Sequence, residues 1–262
     1  MGQFDSETGA ALAQLNYESL SETPGGEFAE VIGDLLMLIG TGGLWAVAGG
    51  ASNLLQKIRK LAGASYASNL IYAITAVRND LTTLYARYEN LRGRIDSLPT
   101  APKFAEALSA VALRAMHTSV KARLKRLARI VVNGVKDDDL EAESLDDMMR
   151  AAVELKESDI AFLGQIYDSQ VEEMVHQSRR KAPSFWKHNF ESIWSEFINK
   201  LNPQLHLQYR SSLCRMAAVG FLMRTDFSVN YGFGLEPHIL LPEGAKFYER
   251  LQAISAENVE PR

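Results

Sequence analysis

The chain has 262 residues, is 47% hydrophobic and 23% charged, and carries a formal net charge of −4. That composition can bury a sizeable core and excludes disorder over most of the length. One cysteine, Cys214, excludes an internal disulfide framework and a Cys-rich zinc site, and the acidic balance argues against whole-chain attraction to nucleic acid.

Residues 1–26 are polar, close on Pro24-Gly25-Gly26, and read as a loose tail. The first basic residue is Lys57, and seven acidic residues precede it. The basic start of a secretory signal is therefore missing, and a cytoplasmic location is expected. Residues 35–56, LLMLIGTGGLWAVAGGASNLLQ, carry no charge, and these 22 residues are long enough to cross a bilayer. A second uncharged run, 61–77, follows the basic tetrad at 57–60.

Two readings of this region stay open. In one it is a buried helical hairpin, bent at its glycines and covered by later helices. In the other it inserts in or docks on a membrane, or packs against a second copy. The contacts are then Gly40, Gly42, Gly43, Leu44, Trp45, Gly49 and Gly50. Lys57, Arg59 and Lys60 would hold anionic headgroups, leaving the protein peripheral to, or inserted at, the inner face of the membrane.

From Tyr66 to Leu98 the apolar residues Leu70, Ile74, Val77, Leu81, Leu84, Tyr88, Leu91, Ile95 and Leu98 recur at helical spacing, until Pro99 and Pro102. A second long helix is expected over 103–135, with Phe104, Leu108, Val111, Val120, Leu124, Leu127 and Val131 on its apolar face. Asn133-Gly134 and Asp137-Asp138-Asp139 mark its end. Ser144 and Asp147 suggest a capping box for a helix over 145–155, and Ser158 a cap for one over 159–180. Further helices are expected over 185–200 and 203–219, the last closed by Gly220. Residues 221–241 then read as two short strands and a turn, and 242–254 as a final helix opened by Pro242. Helices, a hairpin, then a helix is the order of a winged-helix-like module.

Charge is blocked along the chain. Residues 57–129 hold 14 basic and 4 acidic side chains, whereas 130–157 hold 3 and 9. Lys121, Arg123, Lys125, Arg126 and Arg129 interleave with Leu124, Leu127 and Ile130. Such a helix can pair with the acidic 137–147 segment, hold lipid headgroups, or track phosphates. In the C-terminal module Arg210, Arg215 and Arg224 are the candidate DNA contacts, too few for confident duplex reading, so nucleic acid is an unfavoured partner.

Two stretches carry a family resemblance. One is KARLKRLARIVVNGVKDDDLEAESLDDMMRAAVELKESDIAFL, from Lys121 to Leu163, which resembles a helical cassette of uncharacterised bacterial proteins. The other, Ala217 to Leu251, with AAVGFLMR and ILLPEGAKFYERL, is similar to the winged-helix-like end of the Abi-alpha group, associated with bacterial abortive infection. The resemblance implies a bacterial origin and phage defence, and it implies no catalytic residues.

Catalytic patterns are sparse. His117, His176, His188, His206 and His238 show no metal-ligand spacing. Gly40-Thr41-Gly42-Gly43 lacks the lysine of a phosphate loop, and Glu154-Leu155-Lys156 matches a nuclease core without its sheet. Cys214 reads as a small core residue.

The expectation is therefore a mostly α fold: an apolar Gly-rich helical hairpin, long paired helices and a small winged-helix-like α+β module. Its parts are a tail over 1–26, a helical domain over 27–157 and the C-terminal module over 158–262. No cofactor or metal is expected. The expected function is non-enzymatic, with membrane lipid, a second copy or an unidentified protein as partner. A winged-helix DNA-binding regulator and an enzyme are the alternatives.

Overall fold

The computed structural model describes residues 31–34, 36, 50–118, 120–177, 183–225 and 235–252. The fold is mostly helical, with one small antiparallel two-stranded sheet near the C-terminus. The chain divides into two compact units, Met1–Val153 with Leu251–Arg262, and Glu154–Arg250. The first division thus precedes the 157/158 boundary read from the sequence, and Leu251 and Gln252 belong to the first unit.

In the first unit α1 (Gly50–Arg87) is one 38-residue helix; it starts well before the expected Tyr66 and stops at Arg87, short of the expected Leu98. The part of the expected stripe that falls in it, Leu70, Ile74, Val77, Leu81 and Leu84, is buried, whereas Tyr88 and Ile95 beyond its end are half-buried. The chain leaves the helix at Tyr88, in an extended conformation. It then passes through a 3-10 turn at Glu89–Leu91, α2 (Arg92–Ser97) and a 3-10 turn at Leu98–Thr100. The helix expected over 103–135 is two helices, α3 (Pro102–Met116) and α4 (Lys121–Asp137). The break falls at His117–Val120, where Val120 is extended and 41% exposed, not part of the apolar face.

α1 and α4 run parallel. Lys121 Nζ lies 5.7 Å from the Tyr72 ring and Lys136 Nζ 5.9 Å from the Tyr88 ring, while Asp80, between the two tyrosines, feels the charges of Arg129 and Lys125. Residues 50–71 of α1 therefore precede the level at which α4 begins, an overhang of about 30 Å at the helical rise. At the other end α4 runs through Gly134 and stops at Asp138, whose φ of 59° is left-handed. Asp139 N–H returns to the Gly134 carbonyl at 2.8 Å, and Arg94 donates to the carbonyls of Val135 and Lys136. A cation at a helix C-terminus satisfies carbonyls that have no partner within the helix.

α5 (Ala142–Glu154) begins before Ser144, so the expected capping box does not form; its buried face is Leu145, Met148, Met149 and Ala152. The chain's return supplies two acceptors to α4: Arg129 donates to the Leu251 carbonyl at 2.9 Å and Asn133 to that of Gln252 at 3.2 Å. Val31, Ile32 and Leu36 are buried; Leu36 lies near the start of the uncharged segment. The first arm of the expected hairpin, 37–49, lies outside the described residues, and the second arm belongs to α1.

The second unit comprises α6 (Glu157–Gln177), α7 (Pro183–Lys200), a 3-10 turn at Pro203–Leu205, α8 (His206–Ala218), β1 (Leu222–Arg224), β2 (His238–Leu240) and α9 (Pro242–Leu251). Asp159, not Ser158, caps α6: its Oδ2 accepts the Lys156 N–H at 2.9 Å. β1 and β2 pair antiparallel, Leu222 opposite Leu240. Gly220, at φ 78°, makes the turn from α8 into β1. Phe162, Trp194 and Phe197 form an aromatic core that Tyr209 joins at 4.6 Å from Phe162. Gly244 lies so close to β1's entry that a Cβ there would stand 2.5 Å from the Phe221 carbonyl oxygen. Cys214 is exposed, a correction to its expected place in the core; the buried face of α8 is Ser212, Leu213 and Met216.

Candidate functional site

The run 107–136 holds seven Lys or Arg side chains and no Asp or Glu. Structure sorts these cations by burial. Leu124, Leu127, Ile130 and Val131 turn α4 inward and carry Arg126 with them. Arg126 is only 6% exposed and donates to the Ala152 carbonyl at 3.0 Å, which removes it from the headgroup-contact set. Lys121, Lys125 and Lys136 are exposed, and Arg123 and Arg129 are half-buried.

Of the acidic segment 137–147, three residues pair with arginines outside this helix. Asp138 is held by Arg94 at 3.3 Å, Asp146 by Arg114 at 2.5 Å and Asp147 by Arg150 at 2.8 Å. The acid that meets α4's cations is Asp80 on α1. Burial lifts the Asp80 carboxyl above its ordinary range, and the charges of Arg129 and Lys125 offset part of that rise. Tyr72, Tyr88, Lys136 and Asp80 were not candidates in the sequence. The lack of acid across 107–136 was the available signal.

Lys57, Arg59 and Lys60 belong to the first part of α1, and Gly50 is its first residue. Gly40, Gly42, Gly43, Leu44, Trp45 and Gly49 lie outside the described residues. Among the described residues no helix is long and apolar enough to cross a membrane.

Two of the three candidate DNA contacts are occupied within the second unit. Arg215 grips Asp159 with Nε at 2.8 Å and Nη2 at 2.5 Å, and Ser212 Oγ donates to the same carboxylate at 2.6 Å. Burial works against the Asp159 charge, but these bonds and the Lys156 N–H outweigh it and hold the carboxyl below its ordinary pKa. The Asp159 hydrogen bond in turn raises the pKa of Arg215. Arg224 pairs with Glu236 at 2.7 Å, and Arg210 is exposed.

A cleft of about 720 Å³ opens between α6, α7 and α8, lined by Asp168, Ser169, Glu196, Phe197, Lys200 and Tyr209 among others. Glu196 and Lys200 pair with each other at 2.7 Å. Among the described residues no three His, Cys, Asp or Glu side chains converge to hold a metal ion. His238 is buried 6.2 Å from the Trp194 ring, its Nδ1 at 2.8 Å from the Glu236 carbonyl, and burial lowers its pKa.

No protein-family model matches the chain, and neither a curated protein nor a solved structure matches it.

Proposed function

We propose that this is a non-enzymatic bacterial defence or stress-related protein that works through the uncharged Gly-rich segment 35–56, by associating with membrane or by assembling with copies of itself. The biological setting comes from the Abi-alpha-like stretches at 121–163 and 217–251. The observation that carries the mechanism is the placement of charge. α1 takes up the end of that segment from Gly50, contains Lys57, Arg59 and Lys60, and runs parallel to α4, which carries no acid before Asp137. The positive charge of two helices thus accumulates toward the end from which the uncharged segment leads, which suits an anionic membrane face.

Cell fractionation and light scattering on the full chain test this reading, with Gly43→Asp and Ala48→Asp beside it. The wild type should travel with membranes or as a large assembly, and each substitution should release monomer to the supernatant. Wild-type monomer found wholly in the supernatant, unchanged by either substitution, overturns the proposal.

A winged-helix DNA-binding regulator is the second reading, favoured by the order α8, β1, β2, α9. The internal pairing of Arg215 and Arg224 weakens it, since it leaves Arg210 as the exposed cation of that set without an ion pair. Salt-dependent duplex binding that is lost on Arg210→Ala would favour it over the first.

A further inference from the structure

We propose that the turn between α3 and α4, with Leu113, Val120, Lys121, Arg123 and Lys125, docks on the anionic surface of a lipid bilayer. This rests on the membrane reading above and goes beyond it by naming the docking surface and the lipid charge it needs.

Two large apolar side chains are open to solvent at this turn, Leu113 at 36% and Val120 at 41% exposure. Leu113 is in the last turn of α3, and Val120 is the residue from which α4 starts. Lys121, Arg123 and Lys125 follow at once. Lys121 and Lys125 are exposed and Arg123 is half-exposed. Among the described residues no carboxylate forms an ion pair or hydrogen bond with any of the three. Exposed apolar side chains followed directly by cations are what an interfacial helix presents to anionic headgroups.

Lipid suits this surface better than nucleic acid. Single strands bind by stacking bases on open aromatic faces. Of the described rings, Tyr72 lies beside α4's start and has the Lys121 ammonium over it. Leu113 and Val120 add nothing to a phosphate backbone, whereas the boundary between headgroups and acyl chains takes them in.

The experiment is flotation of the full chain with vesicles of phosphatidylcholine alone and of phosphatidylcholine mixed with phosphatidylserine. Three variants accompany it: Val120→Asp, the combined Lys121→Gln, Arg123→Gln, Lys125→Gln, and Gly43→Asp. Val120, Lys121 and Lys125 are open to solvent and Arg123 is half-exposed, and circular dichroism checks that the helices persist. The wild type should float with the serine-lipid vesicles and much less with phosphatidylcholine. The triple change should lower partitioning on the order of 100-fold, and Val120→Asp about tenfold.

Wild-type partitioning by both turn variants overturns the proposal, and if Gly43→Asp alone fails to float, the segment reading still stands. Loss in the turn variants with normal flotation of Gly43→Asp supports the turn and overturns the segment. Equal flotation with both lipids overturns the turn's role, as does tight binding of a single-stranded oligonucleotide that the triple change removes. No flotation of the wild type overturns both.

Discussion

Asp159 and Arg215 form a two-point pair, with the Asp159 side chain fully buried and Arg215 about one-third exposed. It fastens the first turn of α6 to α8 across 56 residues of sequence. An arginine that looked available for phosphate is thus committed to the fold. Arg215→Met leaves a buried carboxylate without its cation and should destabilise the protein by about 3–5 kcal/mol. Arg210→Ala, at an exposed position, should change stability by no more than about 0.5 kcal/mol. Urea unfolding of the two variants checks this, and equal midpoints would contradict the assignment.

Stability should fall with acid in two windows. His238 has a folded pKa below its ordinary 6.5 because burial disfavours the imidazolium. The unfolded chain therefore takes up that proton first, and the stability His238 contributes above pH 6.5 is lost as pH falls from there through the folded value. Asp159 is likewise depressed below 3.8, so its contribution is present above that pH and is lost on further acidification. Melting temperatures measured from about pH 7.5 down to about pH 5 should decline, and His238→Gln should flatten that slope. An unaltered slope would contradict the His238 assignment.

The carboxamide of Gln170 closes the outer edge of β2. It donates to the His238 carbonyl at 2.9 Å and accepts the Leu240 N–H at 2.8 Å, as a neighbouring strand would. Gln170→Leu should cost about 2–4 kcal/mol, because two buried backbone groups lose their partners together. Chemical denaturation measures the loss; a cost well under 1 kcal/mol would mean that another group takes over the edge.

Two glycines of the second unit should respond differently to a methyl group. At Gly244 the added Cβ meets the Phe221 backbone oxygen at 2.5 Å, so Gly244→Ala must shift β1 or α9 and should cost about 1–3 kcal/mol. At Gly164 the nearest atom, at 2.6 Å, is the Tyr248 hydroxyl, the far end of a side chain that can swing. Gly164→Ala should therefore cost less, and thermal unfolding of the pair orders them.

Periodicity made the helical part of the fold legible, because Leu70 to Leu84 and Leu124 to Val131 each bury one continuous face. The break at His117–Val120 was not legible, since neither Gly nor Pro marks it and Val120 fits the apolar spacing. Cys214 was misplaced for a related reason. α8 spends a buried position on Ser212, which serves Asp159, and that rotates Cys214 outward. Partners distant in sequence were out of reach of local pattern, so Arg215 looked free and α4's cations were matched to 137–147 in place of Asp80. The candidate surface was half legible: the cations stood in the sequence, but the placement of α4's cations along α1 depends on the two helices running parallel.

Vesicle flotation of the full chain beside Gly43→Asp reads the central claim most directly. The wild type should rise with phosphatidylserine-containing vesicles, and the charged substitution should leave the protein at the bottom of the gradient. A wild-type chain that stays monomeric at the bottom with every lipid, and behaves identically after the substitution, would contradict it.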